Sequence, residues 1–233
     1  MGPVIILIPA LNPLQTIVQF VEKLQKLRVE QIIIVNDGSD AKYDATFETL
    51  RQLENCVVLH HEGNFGKGRA LKTGFDYISK MDWQAKGIVT VGAHGQHSIL
   101  DVEQIIASTK VFSDGFILGI RNFTSGELPM LSFVSNRAAS MLFELLFHKR
   151  LLDTQTGLRY LPKSELGWLK KVPGESYSYD INMLVATIKR KVPIYEVPIG
   201  EAKLKKNSVI YYDEVFSPAE IFHQIWVSFI KNK

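Results

Sequence analysis

The chain has 233 residues, 46% hydrophobic and 22% charged, a balance that fits a folded globular protein and excludes a disordered or fibrous one. The 27 Lys and Arg against 24 Asp and Glu leave a formal charge of +3, too small to argue for nucleic acid, which is not expected as a partner. A single cysteine, Cys56, rules out an internal disulfide framework.

The elements alternate along the chain. Val4–Ile8 is a continuous apolar run, and Ile17, Phe20, Val21, Leu24 and Leu27 then recur at helical spacing. Gln31–Val35 is a second apolar run, ending in Asn36-Asp37-Gly38-Ser39-Asp40. A helix is expected near Tyr43–Leu53, a strand at Cys56–Leu59, a glycine-led helix over Gly66–Met81 and a strand at Gly87–Val91. Ser98 with Asp101 resembles a capping box ahead of Val102–Thr109, and Phe116–Ile120 is a fifth strand. Leu131–His148 reads as a long helix with Asn136, Arg137, Ser140, Glu144 and His148 on one polar stripe. The polar loop 153–159 leads into Tyr160-Leu161. Asp180–Arg190 reads as a helix and Val192–Ile199 as an extended segment. A basic cluster of Lys189, Arg190, Lys191, Lys203, Lys205 and Lys206 precedes an amphipathic tail, Ala219–Ile230.

Apolar strands without alternation, separated by helices, predict an α/β fold: a mostly parallel, Rossmann-like sheet covered on both faces, in one domain over 1–233. Such sheets bind ligands at the carboxyl ends of their strands. Those ends carry Pro9-Ala10-Leu11-Asn12, Asn36-Asp37-Gly38-Ser39 and Gly92-Ala93-His94-Gly95-Gln96. The longest near-apolar stretches, Val4–Leu11 and Met141–Phe147, fall well short of the ~20 residues a spanning helix needs. The N-terminus has no basic region before its apolar run, so it does not read as a signal peptide. A cytoplasmic chain is expected, able to rest on the inner face of a membrane, or on a membrane-protein partner, without crossing.

Several motifs admit two readings. Gly63-Asn64-Phe65-Gly66-Lys67-Gly68-Arg69-Ala70 fails as a P-loop, because Arg69-Ala70 replaces Lys-Ser/Thr, and as a dinucleotide fingerprint, because Leu71 replaces the third glycine. It is either a turn that lets a helix start close to its neighbours or a loop whose amides and Lys67 face a nucleotide. Asn36–Asp40 is either a turn with an N-cap or a place where a carboxylate meets a ribose or base. His94 and His97 lack zinc-like spacing.

In combination these segments resemble family 2 glycosyltransferases of the polyprenyl-phosphate branch, relatives of dolichol-phosphate mannose synthase and bactoprenol glucosyltransferases. The resemblance covers Val4 to about Ile199. It rests on Ile8–Asn12, on Val35–Asp40 against the family's Asp-Asp-Gly-Ser, and on Asn64–Ala70 with Gly74 against its Gly-Lys-Gly helix. It continues in Gly92–His97 against Asp-Ala-Asp-Gly-Gln-His, in Ser135-Asn136-Arg137, in Asp153–Arg159, and in Tyr179–Leu184 against Phe-Glu-Ile-Glu-Met-Leu.

The resemblance implies a GT-A fold with a nucleotide-binding half over about 1–120 and an acceptor half over about 121–233. It implies inverting transfer of a hexose from a UDP- or GDP-sugar to a polyprenyl phosphate or related cell-envelope glycan. Pro9, Ala10, Asn12, Asn36, Asp37, Lys67 and Ala93 would bind the nucleotide sugar. Arg121, Arg137, Asp153, Gln155 and Arg159 would form the catalytic, acceptor-side set; an arginine after a Gln-Thr-Gly turn could instead pin that turn. Family members hold Mg²⁺ or Mn²⁺ on an Asp-any-Asp pair to receive the leaving diphosphate.

Here the family's acids are replaced by Gly92, His94, Pro13 and Asn36. His94 and Gln96 remain as candidate metal ligands, a poor set for a hard cation. Three readings stay open: an active transferase that handles the diphosphate with lysines or a differently held metal; a degenerate relative that binds nucleotide or lipid and regulates an active enzyme; and a shared fold with another ligand.

Overall fold

The structure, a computed structural model, describes residues 2–122 and 130–201 and, in the tail, 223, 225–227, 229 and 230; at 122, 130–135 and 201 it describes the backbone alone. β1 (Val4–Ala10) is buried along its whole length, as a strand covered on both faces must be. Its side chains alternate. Ile6, Ile8 and Ala10 pack with Ile32 and Ile34 of β2 (Val29–Asn36) under α1 (Ile17–Leu24), α2 (Asp44–Arg51) and α4 (Ile99–Ser108). Ile5 and Leu7 pack with Ile33 and Val35 on the other face, under α3 (Lys67–Ser79). Leu27 lies beyond α1, in a turn that leads to β2.

The other described strands are β3 (Cys56–His60), β4 (Gly87–Thr90), β5 (Phe116–Asn122), β6 (Arg159–Pro162) and β7 (Ile194–Glu201). Their order is β3-β2-β1-β4-β6-β5-β7. All described pairs are parallel except those of β6, which runs antiparallel between β4 and β5. The short β6 is the continuation of the 153–159 loop, so that loop is delivered to the carboxyl end of β4. The order reverses beside β1 and β4, and a crevice for ligands opens at such a switch point.

The remaining α-helices described up to residue 201 are α5 (Met130–Phe147), α6 (Leu166–Leu169) and α7 (Ser178–Lys189). The polar stripe expected on α5 divides between two faces. Asn136 and Ser140 are buried, and both donate to the Leu152 carbonyl, at 2.9 and 3.4 Å. Arg137 and Glu144 are exposed, and Met141 and Leu145 lie exposed beside them at 64% and 71%. The inward polar pair exists because the 152–154 backbone needs partners where it crosses the helix. Lys203, Lys205 and Lys206 lie outside the described residues, as does 219–222 of the tail. Within the described tail Ile225 is buried against Ala139, Leu142 and Phe143. Among the described residues no helix is long and apolar enough to cross a membrane.

Candidate functional site

Ala10, Asn36 and His60 stand in register at the carboxyl ends of β1, β2 and β3. Asn12, just beyond, takes a positive φ of 48°. Its N–H donates to the Ser39 hydroxyl at 2.9 Å, its Oδ1 accepts from the Asp40 N–H at 2.9 Å, and its Nδ2 donates to Asp40 Oδ2 at 3.3 Å. The buried Asn36 accepts the Ser39 N–H on Oδ1 at 2.9 Å and donates from Nδ2 to His60 Nδ1 at 3.1 Å. An amide suits this position, because it can accept from the Ser39 N–H on one side and donate to the His60 imidazole on the other.

Asp37 is fully buried. Its Oδ1 accepts from His61 Nδ1 at 2.7 Å and from the Phe65 N–H at 3.1 Å, and its Oδ2 accepts the Gly66 N–H at 2.8 Å. The far nitrogen of His61 meets the Thr73 hydroxyl at 2.9 Å. Asp37 thus folds the glycine turn onto the sheet edge; it does not cap the following helix. A Cβ at Gly68 would stand 2.6 Å from the Tyr179 Cβ, so this glycine is required by the close approach of α3 to the start of α7.

A second cluster begins one residue along. Lys67 donates to Asp180 Oδ2 at 2.7 Å, and Asp180 Oδ1 lies 3.2 Å from Arg159 Nη1. Burial pushes the Asp180 carboxyl up, but Lys67 and Arg159 outweigh it and hold the group below its usual range. Arg159 is 1% exposed and donates to the carbonyls of Thr156, Thr154 and Asp180, at 2.8, 3.0 and 3.3 Å. Arg121 forks onto Asp153, with Nε to Oδ2 at 2.7 Å and Nη2 to Oδ1 at 2.9 Å. Asp153 is wholly buried and Arg121 is the more exposed partner, so the pair presents its cation outward. Asp153 also accepts the Gln155 N–H at 3.2 Å.

Gly157 lies in the same loop, and its carbonyl accepts from the Thr90 hydroxyl at 2.9 Å. A Cβ there would stand 3.7 Å from His97 Nε2 and 3.8 Å from Lys67 Nζ, an ordinary contact. His97 is buried, and its Nδ1 has no hydrogen-bond partner among the described residues. Burial first, and then the nearby Arg121 and Lys67, push its imidazole down to about 4, so it is neutral at pH 7.

The Gly92–His97 loop was tested against the divalent cation that the resemblance implies. His94 is buried and donates from Nε2 to the Leu11 carbonyl at 3.0 Å. A Cβ at Gly92 would fall 2.1 Å from Gln96 Oε1, so the Gln96 side chain fills the space that an acid at 92 would occupy. Asp101 forms the expected capping box with Ser98 and also accepts the Gly200 N–H at 2.8 Å. Among the described residues no three His, Cys, Asp or Glu side chains gather as a metal site. One committed imidazole and one amide are not a donor set for Mg²⁺ or Mn²⁺, and the residues do not fit that cation.

The sequence-selected residues therefore fall into two neighbouring groups. Asn12, Asn36 and Asp37 hold the turns at the β1–β3 edge, where Pro9, Ala10 and Ala93 are buried and offer mainly backbone; the Ala10 carbonyl accepts the Asp37 N–H at 2.9 Å. Lys67, Arg121, Asp153 and Arg159 belong to the ion pairs around the 153–159 loop, in which Gln155 is half-buried. Arg137 is not drawn into either network and stands exposed on α5. Sequence reasoning did not select His60, His61, Thr73 or Asp180. Asp180 had a signal, because it occupies the first glutamate position of the Phe-Glu-Ile-Glu-Met-Leu motif; the histidines had none.

Residues 5–155 match Glycosyl transferase family 2. The UDP-N-acetylglucosamine–dolichyl-phosphate N-acetylglucosaminyltransferase of Methanococcus voltae is 30% identical over 214 residues, which covers 83% of each chain. An uncharacterised protein of Methanocaldococcus jannaschii is 28% identical over 203 residues, 84% of this chain and 80% of its own. Among solved structures, glucosyl-3-phosphoglycerate synthase from Mycobacterium tuberculosis, in complex with Mn²⁺, UDP and glucosyl-3-phosphoglycerate, superposes with a TM-score of 0.70 at 16% identity, over 99% of this chain and 79% of that one. The fold is GT-A-like, and the chain belongs to glycosyl transferase family 2.

Proposed function

We propose that this family 2 glycosyltransferase moves a hexose, with inversion, from a UDP- or GDP-sugar to a polyprenyl phosphate or a related cell-envelope glycan acceptor. The ion pairs around the 153–159 loop carry the reading: a partly exposed Arg121 braced by a buried Asp153, and a Lys67 held by Asp180, at the carboxyl edge where the sheet order reverses. The name of the Methanococcus voltae relative, a transferase to dolichyl phosphate, supports the acceptor class.

In this reading residues up to about 120 seat the nucleotide, with Asn12, Asn36 and Asp37 shaping its pocket through the turns they hold. An oxygen of the acceptor phosphate attacks the anomeric carbon from the face opposite the diphosphate. The new C–O bond forms as the old one breaks, and the nucleoside diphosphate leaves with the bonding pair. An ionised phosphate is already a nucleophile, so no strong general base is required; the greater need is positive charge around both phosphates. Arg121, Arg137 and Gln155 address the acceptor, while Asp153 and Arg159 act as positioning residues. A lipid phosphate lies at a membrane surface, so attachment to the inner face of the membrane follows, and the exposed Met141 and Leu145 of α5 offer apolar area for it.

The test is transfer in vitro. Purified protein is incubated with UDP-glucose, UDP-N-acetylglucosamine or GDP-mannose and a polyprenyl phosphate in detergent, and the lipid fraction is read by mass spectrometry. A lipid-linked hexose monophosphate of inverted anomeric configuration is expected. Nucleotide binding without transfer from any donor would replace this reading with that of a non-catalytic regulator.

A further inference from the structure

We infer that this chain binds its nucleoside diphosphate without a divalent cation, the place of the usual metal-holding acids being taken by its own side chains and the diphosphate charge being met by Lys67, with Arg121 shared between the diphosphate and the acceptor phosphate. The inference rests on the function proposed above, since it presupposes that a nucleotide binds at this edge.

Three observations converge on it. The Gln96 side chain already fills the room beside Gly92, where a carboxylate would have to stand. His94 is buried and gives its Nε2 proton to the Leu11 carbonyl, so it can offer at most one nitrogen, a weak match for a hard cation that prefers oxygen. Asp37 and Asp101, the acids of the neighbouring turns, are bound to backbone N–H groups of Phe65 and Gly66 and of Ser98 and Gly200. The oxygen that stands beside Gly92 is the neutral Gln96 amide oxygen, and one amide oxygen with one imidazole falls short of the carboxylate set that a hard cation needs.

Cationic charge is nevertheless present and fixed. Lys67 and Arg121 each keep some exposure, 16% and 21%, and each is held by a carboxylate behind it, Asp180 at 12% and Asp153 at 0%. Arg159 lies deeper and secures the loop by the Thr154 and Thr156 carbonyls and ties it to α7 by that of Asp180. Positive groups held in this way need little reorganisation when charge develops on a leaving diphosphate, which is the service a metal would otherwise supply. A guanidinium can also bond two phosphate oxygens at once.

The test compares nucleoside diphosphate affinity in EDTA and in millimolar Mn²⁺. UDP, GDP, CDP and ADP are titrated by calorimetry into the full-length protein under both conditions. The diphosphate that binds is expected to change its Kd by less than fivefold. A tightening of fivefold or more in Mn²⁺ would overturn the inference while leaving the proposed function standing. No binding of any diphosphate in either buffer would remove the proposed function, and the inference with it. The variant G92D/H94D supplies the positive control. The clash at 92 is with the flexible end of Gln96, which can move, so the variant is expected to gain a Mn²⁺ dependence of tenfold or more. A folded variant with no such gain would refute the assignment of the closure to positions 92 and 94. If the variant fails to fold, the comparison on the wild-type protein decides alone.

Discussion

His97 makes stability depend on acid in a way that can be calculated. Its imidazole is buried against Arg121, Lys67, Asp101 and Asp153 and is pushed from the ordinary 6.5 down to about 4. Between those values the unfolded chain carries a proton on residue 97 that the folded chain does not. Stability therefore falls as pH drops below about 6.5, and the loss levels off below about 4. The full shift is worth about 3 kcal/mol, of which about 2.5 kcal/mol has been lost by pH 4.5. Urea unfolding of wild type and His97→Gln at pH 7 and at pH 4.5 measures it. Asp180, held low by Lys67 and Arg159, also sheds stability in acid, but it does so in both proteins. The wild type is expected to lose about 2.5 kcal/mol more than the variant between the two pH values. Equal losses would show that His97 is solvated or charged in the folded state.

Arg159→Met leaves Asp180 with Lys67 alone and strips donors from two loop carbonyls and one of α7, so a loss of about 3–5 kcal/mol in urea unfolding is expected. Asp37→Ala removes the acceptor of the Phe65 and Gly66 amides; their hydrogen-exchange protection, read by NMR, should collapse toward that of an open loop while the β1 amides keep theirs. Arg137→Ala removes an exposed side chain with no buried partner behind it, so Tm should move by less than about 2 °C. If Arg137 receives the acceptor phosphate, the same variant should raise KM for the lipid phosphate at least tenfold and leave KM for the nucleotide sugar unchanged.

Much of the fold was legible because a strand covered on both faces has to be apolar at every position. β1 meets that demand along its whole length and β2 over Ile32–Val35, and both could be placed from the sequence. The capping box of α4 was legible because both of its partners lie within one turn. What escaped was decided at a distance. Asp37 reads as a turn residue in its own segment, and only the return of His61, Phe65 and Gly66, 24 to 29 positions away, makes it the anchor of the glycine turn. The α5 stripe was misjudged for a similar reason: the inward Asn136 and Ser140 answer to the Leu152 carbonyl, 16 and 12 positions along the chain. The pairing of β6 between β4 and β5 likewise depends on partners that no local pattern announces.

The two clusters are joined more tightly than their separate roles suggest. Gly66 gives its N–H to Asp37, and the next residue, Lys67, gives its ammonium to Asp180. No flexible segment lies between these anchors, since one residue belongs to each. A change at the β1–β3 edge that frees the Gly66 amide therefore shifts the start of α3, and with it the Lys67 ammonium. That ammonium sits 3.8 Å from the place a Cβ would take at Gly157, in contact with the loop that Arg159 and Asp153 hold. The β1–β3 edge and the 153–159 loop are thus braced against one another through the start of α3. Such stiffness suits a site whose fixed positive charge has to be in place before the diphosphate departs.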